Sequence, residues 1–210
     1  SGEGIAAIFK DINVDRVIEG GQTMNPSAQD IADAIIKINA ENIFVFPNNK
    51  NIILAAEQSK LLIEGKKVYV VPTKSIPQGI SAALAMNPEA TADENFIEMI
   101  HAIDNVSSGM VTYAVRNAKV DGFSLTKGDI IALDNKKILA KGKDLSKVTG
   151  DLIEKLRYNA HSLVNLYYGS DVTEEEAVAL QATLAARYPE LDVELFYGGQ
   201  PIYYYIVSLE

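Results

Sequence analysis

The sequence predicts a mixed α/β protein of two lobes, with a parallel-sheet lobe over residues 1–90 and a mixed lobe with antiparallel hairpins over residues 91–210. An apolar content of 48% in 210 residues is enough for a sizeable core and argues against disorder. Before residue 90, short apolar runs alternate with helical periodicity, which is typical of parallel strands joined by crossover helices. After residue 90, apolar runs follow one another across turn signals, which favours antiparallel pairing.

The first lobe is expected to contain three parallel strands, at residues 16–18, 43–46 and 68–71. The helix after the first strand begins at Ser27, because Asp30 three positions later can complete a capping box. A second crossover helix is predicted over residues 52–63, and a third follows Pro77. The inward faces of the first and third helices are predicted to comprise Ile31, Ala34, Ile35, Ile38, Ile80, Ala83 and Leu84.

The second lobe is expected to open with a helix that runs from Thr91 to about residue 104, because Glu94 can complete a second capping box. Its inward face is predicted to comprise Phe96, Ile97, Ile100 and Ile103. Segments 110–120 and 123–141 are interpreted as consecutive strands broken by Gly- and Asn-containing turns. The remaining elements are predicted as a helix over 147–157, a strand over 162–167, a helix beginning at Thr173, and strands over 193–197 and 202–207.

The charge balance indicates which partners the chain avoids. Nineteen basic and 28 acidic residues give a net charge of −9, which repels nucleic acid and anionic lipid headgroups. No apolar run is long enough for membrane insertion. The absence of Cys is consistent with a reducing compartment, and the first residues do not resemble a secretory leader, so a cytoplasmic location is expected. The missing initiator Met suggests a fragment.

The leading candidate site is a polar rim formed by three loops, each expected to follow a parallel strand. In an open parallel sheet these loops share the carboxyl edge, where ligands usually bind, and each leads into a helix N-terminus. Such a rim suits a neutral polar ligand, a carboxylate or another protein, although turns and caps alone also select these residue types. The candidate rim residues are Gly21, Gln22, Thr23, Asn25, Ser27, Asn48, Asn49, Thr73, Lys74, Ser75 and Gln78.

Two further segments are candidate contact surfaces. Arg116 is predicted to lie within a strand, where it can clamp an anion or pair with a surface acid. In the final segment, strand alternation would turn one or two tyrosine rings outward for a protein contact, or leave them half-buried in an ordinary closing strand. The candidates there are Gly199, Gln200, Tyr203 and Tyr205.

Catalytic motifs are weak or missing in this sequence. Residues 2–7 match a dinucleotide-binding glycine pattern in letters, but no strand precedes them. The sequence contains no phosphate-binding P-loop and no Gly-x-Ser-x-Gly nucleophile motif. His101 and His161 are interpreted as packing residues, and no metal-binding cluster is visible. No catalytic residue, metal or cofactor is therefore assigned to this chain.

Four segments carry a resemblance to a known family. They are Gly-Gly-Gln-Thr-Met-Asn-Pro-Ser at 20–27, Val-Pro-Thr-Lys-Ser-Ile-Pro-Gln-Gly at 71–79, Val-Thr-Tyr-Ala-Val-Arg at 111–116, and Tyr-Gly-Gly-Gln-Pro-Ile-Tyr-Tyr-Tyr at 197–205. Over essentially its whole length, the chain resembles the C-terminal domain of the ATP-binding subunit of bacterial fatty acid kinase, a dihydroxyacetone-kinase-like family. The resemblance implies a two-lobed DegV-like fold.

The same resemblance implies a function for the parent protein and for this part of it. In that family an N-terminal kinase domain holds ATP and magnesium and phosphorylates a fatty acid carried by a separate DegV-like protein. The product is acyl phosphate for phospholipid synthesis in Gram-positive bacteria. This chain lacks the kinase domain, so its expected role is non-catalytic recruitment of the carrier. The alternative is a module that senses a lipid or another small molecule between its lobes, and a homodimer of the full-length parent is left open.

Overall fold

The computed structural model describes residues 2–20 and 24–210 and divides them into two compact units. The first unit spans residues 6–106, and the second comprises residues 2–5 and 107–210. The division falls after residue 106 and not at the predicted residue 90. The reason is packing, because Met99 and Ile103 of the helix that follows residue 90 share a buried cluster with Val71 and Ala82 of the first unit.

The first unit contains a β-α-β arrangement with further helices. Its elements are α2 (Ala28–Ile36), β1 (Asn42–Val45), α3 (Ile53–Ser59) with a 3₁₀ turn (Lys60–Leu62), β2 (Lys67–Val70), α4 (Ile76–Leu84) and α5 (Ala92–Asp104); α1 (Glu3–Asp11) precedes them. Strands β1 and β2 are parallel, with Ile43 opposite Val68. The core beside them is built from Ile31, Ile35, Ile43, Ala56 and Val70. The predicted parallel pairing of these two strands is confirmed.

Helix starts in the first unit agree with the capping signals. Ser27 caps α2 and Thr91 caps α5, and in both helices the acidic residue at the third position completes the capping box. The inward faces are less well predicted. Leu84 is 64% exposed and Ile97 is 52% exposed, because α4 buries Ile80 with the small residues around it and α5 turns its Asn95, Met99 and Ile103 inward.

The predicted strand at residues 16–18 is wrong. The structure has no strand there, and Val17 and Ile18 are each more than one third exposed. Two apolar residues between Arg16 and Glu19 do not provide enough apolar surface to anchor a strand in a sheet. As a result, the loop at residues 20–27 does not follow a sheet strand.

The second unit is built on a six-stranded mixed sheet. Its elements are β3 (Ser107–Tyr113), β4 (Ala118–Val120), β5 (Phe123–Leu125), β6 (Ile130–Leu133), β7 (Ile138–Gly142), α6 (Leu145–Leu156), β8 (Leu163–Tyr168), α7 (Glu174–Arg187), β9 (Asp192–Tyr197) and β10 (Tyr205–Leu209). The strand order is β7-β6-β3-β10-β8-β9, and β4 pairs with β5 in a separate hairpin. All described pairs in this unit are antiparallel except β8 with β9.

Helices α6 and α7 pack on the six-stranded sheet. Leu152 and Ile153 of α6 and Leu180 and Leu184 of α7 share one buried cluster with strand residues such as Leu166. The predicted mixed α/β class and the antiparallel hairpins of this region are confirmed. None of the described helices combines the length and the apolar character that crossing a membrane requires.

Candidate functional site

Two of the three predicted rim loops meet at the carboxyl edge of β1 and β2. The loop after β1 carries Asn48, and the loop after β2 carries Thr73, which is fully buried. The backbone N–H of Asn48 donates a hydrogen bond of 2.8 Å to the Thr73 hydroxyl oxygen. Because parallel strands end at the same edge, this bond braces the two loops against each other. We define the polar rim as Asn48, Asn49, Thr73, Lys74, Ser75 and Gln78.

The side chain of Asn48 occupies space left by a glycine. Asn48 has a φ of 57°, a left-handed backbone conformation that asparagine tolerates better than most residues. A Cβ atom at Gly79 would lie 2.0 Å from the Asn48 Oδ1 atom. That oxygen is buried and has no hydrogen-bond partner within the described ranges. The Gly79 position in α4 therefore allows the amide of Asn48 to pack directly on the helix backbone.

The side chain of Gln78 holds the second loop in place. Its Oε1 atom accepts a 2.7 Å hydrogen bond from the Lys74 backbone N–H, and its Nε2 atom donates at 3.1 Å to the Ile103 carbonyl. Its backbone N–H donates to the hydroxyl of Ser75, which caps α4. Gln78 is thus committed to internal bonds and positions Lys74, whose side chain is exposed.

The remaining rim residues differ in their solvent exposure. Asn49 is half-buried, and its Oδ1 atom accepts a hydrogen bond of 2.9 Å from the Asn51 backbone N–H. This local bond shapes the turn that leads into α3. Asn48 and Ser75 are also half-buried. The rim therefore presents partly exposed amide and hydroxyl groups beside one exposed ammonium group, that of Lys74.

The first predicted loop is only partly described. Gly21, Gln22 and Thr23 lie outside the described residues, so their placement at the rim stays a prediction. Asn25 is exposed. The Ser27 hydroxyl is engaged with Asp30, whose backbone N–H donates to it and whose carboxylate accepts from it at 2.7 Å. The Ser27 hydroxyl and the Ser27 backbone N–H both donate to the Asp30 carboxylate and lower the pKa of that carboxyl, and Ser27 is the cap of α2.

Two of the four candidates in the closing segment are interior, whereas Gly199 and Tyr203 are half-buried, so for Tyr203 the alternative of an ordinary closing strand fits better than an outward ring. Gln200 is 3% exposed and Tyr205 is 1% exposed. The Gln200 Nε2 atom donates hydrogen bonds to the carbonyl oxygens of Tyr167 at 2.9 Å and Tyr203 at 3.4 Å. The strand predicted over 202–207 begins later, at Tyr205, because a φ of 73° at Ile202 interrupts the extended backbone.

Glycines in this region lie where two backbone segments come close together. The N–H groups of Gly198 and Gly199 both donate to the Tyr168 carbonyl. A Cβ atom at Gly169 would lie 2.2 Å from the Tyr203 carbonyl oxygen, and one at Gly4 would lie 2.1 Å from the Tyr197 carbonyl oxygen. The two glycines of the pattern at residues 2–7, Gly2 and Gly4, are therefore explained by close backbone packing within the second unit.

Arg116 lies in a bend after β3 and not within a strand, which corrects the sequence interpretation. Strand β3 ends at Tyr113, where the N–H of Ala114 donates to the Asp129 carbonyl and the chain turns toward β4. Arg116 is exposed, and it forms no ion pair within residues 2–20 and 24–210. Arg116 belongs to the second unit, whereas the polar rim belongs to the first.

A buried polar group on the six-stranded sheet was not predicted. Asn165 on β8 and Ser208 on β10 are buried, and both contact the Glu210 carboxylate at 3.4–3.5 Å. Burial raises the pKa of the Glu210 carboxyl, and the two hydrogen bonds partly offset that rise. The available signal was a single polar residue inside each of two apolar strands, Asn165 in Leu163–Tyr168 and Ser208 in Tyr205–Leu209.

Among the described residues, no three His, Asp or Glu side chains gather to hold a metal ion. His101 is exposed on α5, and His161 is buried with its Nδ1 atom accepting a hydrogen bond from the Tyr158 N–H. Burial lowers the pKa of His161. Its ring is therefore held neutral as part of the packing, in agreement with the sequence interpretation.

Comparison with solved structures shows the fold. A DegV family protein, Cg2579 from Corynebacterium glutamicum, is similar with a TM-score of 0.70 at 13% identity, over 97% of this chain and 92% of that one. The Streptococcus pneumoniae Fatty Acid Kinase (Fak) B3 protein, loaded with linoleic acid, is similar with a TM-score of 0.64 at 14% identity, over 88% and 76% of the two chains. The predicted DegV-like fold is confirmed.

Comparison with family models and with curated sequences shows the family of this chain. The family model for the C-terminal domain of FakA-like fatty acid kinase proteins matches residues 1–210. Protein YloV of Bacillus subtilis (strain 168) is 44% identical over 209 residues, which cover 100% of this chain and 38% of YloV. The chain thus spans about two fifths of the length of the curated relatives it matches. The chain belongs to the FakA-like C-terminal domain family of fatty acid kinase.

Proposed function

We propose that this chain is the non-catalytic domain of a fatty acid kinase that recruits a DegV-like protein carrying a fatty acid. The observation that carries the proposal is the polar rim, where the Asn48–Thr73 bond braces two loops at the carboxyl edge of β1 and β2. This is the edge of an open parallel sheet at which ligands and partners usually bind. Loops that a hydrogen bond already holds in place lose little conformational entropy when a partner binds.

The composition of the rim suits a protein partner. Its groups are amides, hydroxyls and one exposed ammonium, that of Lys74. Such neutral donors and acceptors give orientation and specificity at the polar part of an interface. Both the Oε1 and the Nε2 atom of Gln78 form hydrogen bonds within the first unit. Gln78 therefore holds the loop in place, and its neighbours in the rim are proposed to contact the partner. The rim is therefore proposed to fix the orientation of the bound carrier, with Lys74 as its most accessible contact.

The catalytic steps are assigned to parts of the parent outside this chain. The chain covers 38% of its relative YloV, and its described residues contain no metal-holding cluster. We place ATP and magnesium in the N-terminal kinase domain that the family resemblance implies. In this proposal the carrier presents the carboxylate of its fatty acid, the kinase domain transfers a phosphoryl group to it, and the acyl phosphate enters phospholipid synthesis.

The proposed partner is supported by a protein of the same fold. The Fak B3 protein, a fatty acid kinase protein loaded with linoleic acid, shares the DegV-like fold of this chain. A kinase that acts on a protein-bound fatty acid needs a docking surface separate from the phosphoryl-transfer site. The C-terminal family domain, which covers residues 1–210, is proposed to supply it.

Calorimetric titration of this chain with the fatty-acid-loaded carrier tests the proposal. We expect a one-to-one complex that Lys74→Glu weakens by roughly tenfold or more, as expected for a charge reversal in an interface. Lys37→Glu, an exposed lysine at the end of α2, is the matched control and should change affinity by less than about threefold. Absence of a complex at high micromolar concentration would contradict the proposal, as would equal losses in the two variants.

The alternative function, lipid sensing by this chain alone, stays a prediction. Mass spectrometry of lipids released from the purified, denatured chain addresses it directly. A stoichiometric fatty acid in the released fraction would favour sensing. A lipid-free chain that still binds the loaded carrier would favour recruitment.

A further inference from the structure

The hairpin region of the second unit carries a charge opposite to that of the whole chain. Residues 116–147 contain eight basic and four acidic residues, whereas the full chain has 19 basic and 28 acidic residues. This region therefore holds a local excess of four positive charges in a protein whose net charge is −9. Charges farther apart than about 8 Å are largely screened at physiological ionic strength, so a surface responds to local charge more than to net charge.

The four acidic side chains of this region are all bound to backbone amides. Asp121 accepts from the Ile138 N–H, Asp129 from the Thr126 N–H, Asp134 from two successive N–H groups, and Asp144 caps α6. Asp129 is also buried at 4% exposure. These carboxylates shape turns and a helix end, and they leave most of the lysines of the region without a carboxylate partner.

Basic residues at the end of β7 lie next to the β4–β5 hairpin. Lys141 and Lys143 both approach the buried Asp129 carboxylate, within 4.0 Å. The Lys141 ammonium also donates to the Ser124 carbonyl, and Ser124 is the register partner of Lys119 across the β4–β5 hairpin. These contacts place two lysine ammonium groups at a single carboxylate, beside the hairpin that carries Lys119.

Two more cations join this group through adjacent turns. The Lys127 backbone N–H donates to the Asn117 side chain at 2.8 Å, which places Lys127 beside the bend that carries Arg116. Arg116, Lys119 and Lys127 are exposed, and their side chains form no ion pair within the described part of the chain. We define the cation cluster as Arg116, Lys119, Lys127, Lys141 and Lys143.

The chemistry of the cation cluster matches a lipid surface better than a protein surface. Four of its five members are lysines, and lysine is depleted in protein interfaces where arginine is enriched. Lysines close to an anionic bilayer each add to the attraction without requiring a defined geometry. Val115, which adjoins Arg116, is 69% exposed. An exposed apolar residue next to a cation in the chain is a combination that favours binding in the interfacial plane of a membrane.

We propose that the cation cluster attaches the second unit peripherally to an anionic phospholipid bilayer, with its cations facing headgroup phosphates and Val115 entering the interface. The expectation that the net charge of −9 repels such lipids applies to the average surface and not to this face. The attachment involves no membrane-spanning segment. It is independent of carrier recruitment, because the cation cluster belongs to the second unit and the polar rim to the first.

Vesicle sedimentation of the intact chain tests this proposal. We expect the chain to partition onto phosphatidylglycerol vesicles at roughly 0.05 M salt, to be released at roughly 0.5 M salt, and to ignore phosphatidylcholine vesicles. The double variant Lys119→Gln/Lys127→Gln should bind at least about tenfold more weakly. Both side chains are exposed and lack ion pairs within the described ranges, so the variant should retain the wild-type circular dichroism spectrum.

The matched control removes the same charge elsewhere. Lys10→Gln/Lys37→Gln alters two exposed lysines of the first unit and should change partitioning by less than about twofold. Equal losses in the two double variants would overturn the proposal, because net charge alone would then explain binding. Failure of the wild-type chain to bind phosphatidylglycerol at low salt would also overturn it. Binding to polyglutamate without binding to vesicles would instead assign the cluster to an acidic protein.

Discussion

Two polar turns with similar composition have opposite roles in the two units. The rim loops of the first unit and the Gly198-Gly199-Gln200 turn of the second both combine glycine or proline with side-chain amides. Lys74 at the rim is exposed and Asn49 is half-buried, whereas Gln200 is 3% exposed and bonded to two carbonyl groups. The comparison teaches that polar composition identifies a turn, and that the partners of its amides decide whether it is a surface or part of the interior.

The difference arises from what each turn connects. The rim loops lead from strands into helix N-termini, which leaves one side of each loop open to a partner. The Gly198 turn leads from β9 toward β10 and gives both of its glycine N–H groups to the Tyr168 carbonyl of β8, which lies between those two strands. A turn enclosed by strands satisfies most of its polar groups internally, although the buried Gln200 Oε1 atom has no hydrogen-bond partner among the described residues.

The largest effect should come from a methyl group placed where two backbones touch. In Gly169→Ala the new Cβ atom would lie 2.2 Å from the Tyr203 carbonyl oxygen and 2.6 Å from the Gln200 carbonyl oxygen. We expect a loss of at least ~3 kcal/mol in the free energy of unfolding, because backbone cannot move aside cheaply. Urea denaturation followed by circular dichroism measures the loss.

The control for Gly169 is Gly65→Ala. Gly65 has a φ of 75° and no neighbouring atom within 4 Å, so alanine there adds only left-handed backbone strain, about 1 kcal/mol. A loss at Gly169 no larger than that at Gly65 would show that the turn is loosely packed. The interior role of the Gly198-Gly199-Gln200 turn, which distinguishes it from the rim loops, would then be contradicted.

Removal of the buried amide should have the next largest effect. Gln200→Ala leaves the Tyr167 and Tyr203 carbonyls without their Nε2 donor and should lower the free energy of unfolding by about 2 kcal/mol. Gln29→Ala, on the exposed face of α2, should change it by less than about 0.5 kcal/mol. Thermal melting of the two variants provides the comparison. Equal melting temperatures would contradict the interior role of Gln200.

A smaller effect is expected at the brace of the polar rim. Thr73→Val keeps the shape of a fully buried side chain but removes the acceptor for the Asn48 N–H. We expect a loss of about 1 kcal/mol of stability and weaker binding of the loaded carrier. Thr73→Ser, which restores the hydroxyl, should recover the binding. Calorimetry checks both variants, and unchanged carrier binding in Thr73→Val would show that the brace does not organise the rim.

The smallest expected effect is on pH dependence. The stability of the second unit should depend on pH through His161, whereas carrier binding at the polar rim should not. Burial lowers the pKa of His161 from its ordinary value of 6.5, so the folded state favours the neutral ring. The stability that this provides is present above pH 6.5 and is lost as the pH falls toward the folded-state pKa. His161→Gln should therefore flatten the decline in melting temperature below pH 6.5.

The rim itself contains no histidine, so carrier binding should be nearly constant from about pH 6 to 8 while the fold remains intact. Titrations at several pH values check this expectation. A decline in wild-type stability that is identical in His161→Gln would contradict the role given to His161. A steep loss of carrier binding between about pH 7 and 8 would contradict a rim that works through neutral groups.

Local signals in the sequence predicted helix starts and turns well. The capping boxes at Ser27, Thr91 and Thr173 are all present, because a cap depends on residues only three positions apart. The parallel pairing of β1 with β2 and the antiparallel hairpins also agree with the pattern of apolar runs. Caps and tight hairpins depend on residues that are close in the chain, and the pairing of β1 with β2 follows from the alternation of apolar runs with a helix between them.

Long-range burial was harder to predict. Leu84 and Ile97 were placed inward by periodicity and are exposed, because the neighbours that cover a helix face are chosen by the fold. Gln200 and Tyr205 were expected at the surface, but strands distant in sequence enclose them. At the rim, the Asn48–Thr73 contact was predictable because adjacent parallel strands end together, whereas the internal commitment of Gln78 to Ile103 depends on α5 packing.

Deuterium exchange of the chain with and without the fatty-acid-loaded carrier tests recruitment at the polar rim most directly. We predict slower exchange in residues 47–51 and 72–79 when the carrier is present. No change is expected at Gly198, Gly199, Tyr203 and Tyr204, whose backbone N–H groups are already bonded within the second unit. Protection confined to residues 198–205, or a complex that leaves residues 47–51 and 72–79 unprotected, would contradict it.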